Sequence, residues 1–346
     1  MIEKYYSGVI EQIYNRIGKE TRNIVMANYS NDFSIENLEV IRRYQSNEDN
    51  VFFAYSEFSY NTLIGAYEPF LDIICNMHRR FIGGSFDDFQ KECGVYYLHR
   101  QVLNSYYETG ECFREETVLL NEVAYEQRRM TMAIADMLKR LSEVRPLMIV
   151  INRFQMASKS SIETIKYLID NPCANIGIVL GVNAIVKGAD STVEVWDRIV
   201  ESLEDRSAIY YIGSAGPLKN NIKTTNDDEL YITMNFEQSI QEASNIMEFL
   251  DYEQARRGCR IIEHKIKFEN AWIDEKSLRR FYLVYARTSV LLGEMSKAIE
   301  LMNEYKALIP ENDSEHYFSL YYFMKGTCYI CLLYTSPSPR DGLLSR

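Results

Sequence analysis

The chain has 346 residues, 47% of them apolar, and a formal net charge of −11. That length fills two or three domains, and an acidic balance without any basic block excludes nucleic-acid binding through this segment. No apolar run approaches the roughly 20 residues of a membrane helix, and the N-terminus MIEKYYSGVIEQIYNRIGKE mixes charges through its apolar positions, unlike a signal peptide. The expected setting is therefore the cytoplasm, with no membrane partner.

In chain order, residues 1–20 read as an N-terminal helix. Five continuous apolar runs then read as buried parallel strands: NIVMANY (Asn23–Tyr29), VFFAYSEF (Val51–Phe58), PLMIVINRF (Pro146–Phe154), NIGIVLGVN (Asn175–Asn183) and AIYYIG (Ala208–Gly213). Helical patterns lie between them. SIENLEVIRRY sets Ile35, Leu38 and Ile41 on one face behind a Ser34 cap, with Asn37 at the third helical position. Met130, Ile134, Met137 and Leu141 recur at three- and four-residue steps, as do Ile162, Ile165, Leu168 and Ile169. Strands alternating with helices predict an α/β layer over residues 21–216, with ligands bound outside the carboxyl ends of the strands. The charged residues Glu126, Arg128 and Arg129 read as the wet face of a helix.

Seven cysteines and four histidines are dispersed, and only Cys328 and Cys331 stand at CxxC spacing, with nothing downstream to complete a four-ligand set. No metal site is expected, and the thiols read as reduced and mostly buried.

A polar stretch over residues 217–235 reads as a linker, and beyond it the strand signal stops. Residues 236–330 repeat with a shift of 43, which places Ala243 on Ala286, Leu250 on Gly293 and Ala255 on Ala298. A third copy follows 40 residues later, with Gly326 at the position of Ala286. Small residues let paired helices approach, Gly293 opens the turn and Pro310 ends the second helix. This pattern resembles the tetratricopeptide (TPR) repeat, which implies a protein or peptide partner on an extended surface. The aromatic group Tyr317, Phe318, Tyr321, Tyr322 and Phe323 fits either such a surface or a helix–helix core.

The segment RPLMIVINRFQMASKSSIETIKYL resembles the second nucleotide motif of the STAND class of AAA-like P-loop ATPases. There two acidic residues at the strand end order magnesium around the γ-phosphate. Here those positions hold Asn152 and Arg153. A P-loop needs G-x-x-x-x-G-K-[ST] after the first strand, whereas this chain reads SNDFSIENL, with Ser30, Asn31 and Asp32 where phosphate would sit. The one Gly-Lys pair, Gly18-Lys19, precedes the first strand and is followed by Glu20. Asn183 stands where the family has a polar sensor residue. The fold class implied is an α/β parallel-sheet, P-loop-NTPase-like domain followed by an all-α TPR-like helical repeat domain.

Such a domain has lost both diagnostic motifs, so tight ATP binding is not expected and no cofactor or catalytic residue is assigned. Asp32, Asn152 and Arg153 read as solvated turn residues. The alternatives are a doubly wound domain without nucleotide ancestry, an active ATP-dependent switch through an unorthodox loop, and a stand-alone protein-interaction scaffold with no effector. Words such as FFAYSEFSYNTLIGAYEPFLD and INRFQMA are similar to the N-terminal half of Firmicute TPR-containing GGDEF diguanylate cyclases, which implies a signalling role and a C-terminal output domain. Residues 331–346, CLLYTSPSPRDGLLSR, resemble a translated sequencing adapter. On that reading the repeats are cut at Ile330 and the output domain is missing.

Overall fold

A computed structural model describes residues 2–29, 38–46, 50–58, 63–114, 122–183, 193–212, 235–268, 273–310 and 314–335. The chain divides into two compact units, Met1–Thr233 and Met234–Arg346.

All five predicted strands are present within their predicted limits. They are β1 (Ile24–Tyr29), β2 (Phe52–Glu57), β3 (Leu147–Asn152), β4 (Ile176–Asn183) and β5 (Ile209–Ile212). They pair in parallel in the order β2-β3-β4-β1-β5. Before and between them run α1 (Ile2–Arg16), α2 (Glu39–Ser46), α3 (Phe70–Met77), α4 (Phe86–Glu92), α5 (Tyr97–Thr109), α6 (Val123–Val144), α7 (Lys159–Asp170) and α8 (Val193–Glu204). Ile35, Leu38 and Ile41 were expected on one helical face. Leu38 and Ile41 are buried, while Ile35 and the expected cap residues Ser34 and Asn37 lie outside the described residues.

The central strands β3, β4 and β1 are buried on both faces, which is why they read as continuous apolar runs, while the edge strands β2 and β5 are mostly half-buried. On one face, Val25, Ala27, Tyr29, Met148, Val150 and Val179 pack with Tyr6, Val9, Ile10 and Ile13 of α1 and Ile41 and Tyr44 of α2. The alternate residues Met26, Ile149, Ile151, Ile178 and Leu180 point the other way and are equally buried. Right-handed crossovers from β2 to β3, β3 to β4 and β4 to β5 place α6, α7 and α8 on that second face, whereas the β1-to-β2 connection runs the opposite way and places α2 on the first. The helical periodicities follow: Met130, Ile134, Met137 and Leu141 of α6 are buried, as are Ile162, Ile165, Leu168 and Ile169 of α7.

Two glycines decide how closely α1 approaches. A Cβ on Gly177 would lie 2.8 Å from Ile17 and 3.0 Å from Ile13, and one on Gly181 would lie 2.5 Å from the Tyr6 hydroxyl. Both project to the α1 face of β4, so only bare backbone there lets the helix lie down on the strand.

The second unit is helical: α9 (Phe236–Glu248), α10 (Tyr252–Phe268), α11 (Glu275–Leu291), α12 (Met295–Ala307) and α13 (Ser314–Thr335). Its first two hairpins share one turn. In the first, Leu250 adopts φ +69°, its N–H bonds Met247 O at 2.9 Å, and the Asp251 N–H reaches back to Ile246 O at 3.1 Å. In the second, Gly293 adopts φ +78°, its N–H bonds Val290 O at 3.0 Å, and the Glu294 N–H reaches Ser289 O at 2.8 Å. Every atom pair maps onto its counterpart with the shift of 43 read from the sequence. Ala243 and Ala286 on the first helices, and Ala255 and Ala298 on the second, are fully buried. Pro310 follows the end of α12, and Gly326 lies within α13, which continues to Thr335.

No helix among the described residues is long and apolar enough to cross a membrane.

Candidate functional site

Adjacent strands β1 and β4 lead into helices on opposite faces of the sheet, and such a switch point opens a crevice at the carboxyl ends of the strands. The terminal residues along that edge are Glu57, Asn152, Asn183, Tyr29 and Ile212, in sheet order. Only one is a carboxylate.

Asn152 is a fully buried strand residue, which corrects the expectation of a solvated turn. The β period sends its side chain to the α1 face, where Oδ1 accepts a hydrogen bond from the Tyr29 hydroxyl. A Cβ on Gly181 would come within 2.8 Å of that same Oδ1. Tyr6, Tyr29 and Asn152 thus form a buried polar cluster over the bare backbone of β4. The rings of Tyr6 and Tyr29 meet edge to face at 6.3 Å. Burial, followed by the neighbouring Tyr29, raises the Tyr6 phenol well above its ordinary pKa, so that hydroxyl keeps its proton.

Arg153 is half-buried rather than solvated, and its backbone is left-handed with φ +54°. This turn aims the side chain sideways at β2: Nη1 lies 3.0 Å from Glu57 Oε1 and donates to Phe58 O at 3.3 Å. Tyr55 donates to the other oxygen of Glu57. The one carboxylate at the strand ends is thereby neutralised by its own neighbours. A short 3-10 turn, Phe154–Met156, follows, and Ser158 caps α7 by accepting from Ser161 N at 3.4 Å.

Asn183 ends β4 and is buried; its backbone N–H donates to Gln155 Oε1 at 3.3 Å. Gln155 therefore extends the ladder where β3 has already turned away, a role the sequence reading did not assign. Ser30, Asn31 and Asp32 lie outside the described residues.

Among the described residues, the strand ends here carry amides, phenols and a carboxylate paired with a guanidinium. A magnesium ion needs anionic or carbonyl oxygens in an open octahedral arrangement. Neither Asn152, fixed by Tyr29, nor Arg153, a cation, supplies one. Among the described residues no group of three or more His, Cys, Asp or Glu is placed to hold a metal ion.

A second polar cluster lies in the helices inserted between β2 and β3. Glu126 is buried, which corrects the wet-face reading for that residue, while Arg128 is exposed and Arg129 half-buried. Glu126 Oε2 stands 2.9 Å from His99 Nε2, and Oε1 is 3.1 Å from Arg129 Nη1. Arg129 also covers the Tyr96 ring at 3.8 Å. Burial, with Arg114 and Arg129 nearby, drives the His99 imidazole down to about 3. The Glu126 carboxylate pulls the other way, but it shares its charge with Arg129, and burial prevails.

A cavity of about 180 Å³ opens at the opposite, amino edge of the sheet, lined by Arg16, Arg22, Asn23, Arg206 and Tyr210 among others. Arg206 there donates to Ile169 O at 2.6 Å, at the carbonyl end of α7, so it acts as a helix cap.

In the helical unit the aromatic group divides. Tyr321 is buried, Tyr317 and Phe318 are half-buried, and Tyr322 and Phe323 are exposed. Of the cysteines, Cys75, Cys112, Cys259 and Cys328 are buried and Cys93 and Cys173 half-buried, all as free thiols; Cys331 has no described side chain.

No protein-family model matches the chain, and no curated protein matches it either.

Proposed function

We propose that this chain is a regulatory and scaffolding segment of a cytoplasmic bacterial signalling protein. In this reading a P-loop-type α/β domain has given up nucleotide chemistry, and a TPR-like helical array docks a protein or peptide and controls an output domain. The output implied by the resemblance is a diguanylate cyclase.

The observation that carries the reading is the hydrogen bond from Tyr29 to Asn152. In a working site the end of β3 presents a carboxylate to a metal. Here it presents a buried amide, tied down by a phenol, beside an arginine that has turned to pair with Glu57. The strand order and the change of face at β1 support P-loop ancestry. The repeated left-handed turn at Leu250 and Gly293, with the small residues at Ala243, Ala286, Ala255 and Ala298, supports a repeat array.

The test is a titration of fluorescent ATP into the chain, with magnesium and with a chelator. No saturable binding below the millimolar range is expected in either condition. Tight, magnesium-dependent binding would overturn the reading in favour of an active ATP switch.

A further inference from the structure

The cavity at the amino edge of the sheet carries charge that the fold does not use. It holds about 180 Å³, and Val25, Leu168, Ile169 and Leu203, all buried, give it apolar walls. Arg16, Arg22 and Arg206 stand around them. Arg16 has an exposed, loose contact with Glu20 at 3.6 Å. Arg206 gives one N–H to Ile169 O at 2.6 Å, and among the described residues neither Arg206 nor Arg22 meets a carboxylate. In a chain with 49 acidic and 38 basic side chains, two such guanidinium groups beside one cavity point to an anion supplied from outside.

The opposite polarity is present as well. Leu168 and Ile169 belong to the last turn of α7 and Leu203 to the last turn of α8, so the negative ends of two helices lie beside the arginines. Asn23, fully buried, lines the same cavity. Its Nδ2 donates to Glu20 O at 2.6 Å and to Ala174 O at 3.1 Å, two acceptors that fix which way the amide points. Its Oδ1 is then buried with no partner. An unmet buried acceptor is destabilising, and the N–H of a ligand would satisfy it.

We propose that this cavity binds a small apolar α-amino acid. Its carboxylate lies on Arg22 and Arg206, its ammonium group is directed to Asn23 Oδ1, and its side chain packs on Val25, Leu168 and Leu203. Each part of the site selects one part of the ligand. An inorganic anion would satisfy the arginines alone, and a fatty acid would leave Asn23 unmet. At interior packing density a space of about 180 Å³ holds about nine non-hydrogen atoms, the size of leucine and far short of a nucleotide. The site lies at the edge of the sheet opposite Asn152, so the inference is independent of the nucleotide reading.

Titration of the chain with ¹³C-labelled L-leucine, followed by NMR, tests it. A ligand of this size should bind with a Kd on the order of 0.1–1 mM. Against the unmodified chain, 4-methylpentanoate, which lacks the ammonium group, and 3-methylbutylamine, which lacks the carboxylate, should each bind at least about fivefold more weakly. Arg22→Gln changes an exposed side chain, so the variant should fold normally and bind leucine about tenfold or more weakly. No saturable leucine binding up to about 10 mM would overturn the proposal. So would binding that Arg22→Gln leaves unchanged, equal binding of either truncated analogue, or displacement of leucine by an equal concentration of inorganic phosphate, which would mark an unselective anion patch.

Discussion

The Tyr29 hydroxyl reaches across β4 to the Asn152 side chain, joining the ends of β1 and β3 above Gly181. The two residues are 123 positions apart in sequence and both fully buried. Their bond is a polar clasp between strands that do not pair directly.

Removing the donor leaves a buried acceptor unmet. Tyr29→Phe should cost about 1–3 kcal/mol in urea denaturation. Asn152→Asp tests the site's tolerance for charge. Its carboxyl would be buried with no free cation beside it, so its folded pKa rises above the unfolded value. That variant should match the parent most closely near pH 4 and lose stability progressively as pH rises through the folded pKa. It should gain no magnesium-dependent ATP binding, since Arg153 still occupies the neighbouring position.

His99 makes acid stability measurable. Its folded pKa, about 3, lies below the ordinary value near 6.5, so the unfolded chain binds the proton more readily. The stability it contributes is present above pH 6.5 and is lost as pH falls toward 3. Between pH 7 and pH 5 the parent should lose about 2 kcal/mol that His99→Gln does not. Parallel slopes for the two proteins would show that another group governs the acid limb.

The paired turns predict that opposite substitutions at equivalent positions both destabilise, for different reasons. Gly293→Ala adds a Cβ into open space but forces it to φ +78°, and should cost about 1 kcal/mol. Leu250→Gly relieves a similar strain yet deletes a buried side chain, a loss of roughly 2–5 kcal/mol, and should be net destabilising. Chemical denaturation of both variants decides it.

Thiol reactivity should sort by burial. Burial pushes the Cys75 thiol up to about 12 and Cys93 up to about 11, and raises Cys259 further still. At pH 8 the thiolate of Cys75 is about a thousandfold scarcer than that of an ordinary cysteine. With Ellman's reagent, Cys75 and Cys259 should remain silent until urea unfolds the chain. Rapid modification in the native state, detected by mass spectrometry of the two peptides, would contradict this packing.

Much of the fold was legible because buried parallel strands announce themselves as continuous apolar runs, and all five were bounded to within two residues. The 43-residue shift also anticipated that Leu250 and Gly293 would do the same job, although nothing in a leucine signals a left-handed backbone. The candidate site was less legible. Asn152 and Arg153 were flagged as the emptied positions, but polar residues after an apolar run look like a solvated turn when their partners are far away in sequence. Tyr29 and Tyr6, which bury Asn152, lie on β1 and α1. The available signal was Gly181, a glycine inside a strand, which marks a close approach without naming what approaches. Glu126 was misread for a related reason: its neighbours Tyr125 and Arg128 are exposed, yet it stands one turn before Met130 on the buried face, and its charge is met by Arg129 and by His99 on another helix.

The strand order also constrains how the protein can be made. The first strand to leave the ribosome, IVMANY, lies between β4 and β5, the last two to be synthesised. Its first ladder partner, Ile178, is about 150 residues further along the chain. At ordinary translation rates that is a wait of roughly 7–30 s. During that time the mostly apolar strand has α1 and α2 on one face to shelter it but no ladder partner. The sheet closes around its oldest segment, so nascent chains should be most prone to aggregation, and most dependent on chaperones, until β4 has emerged.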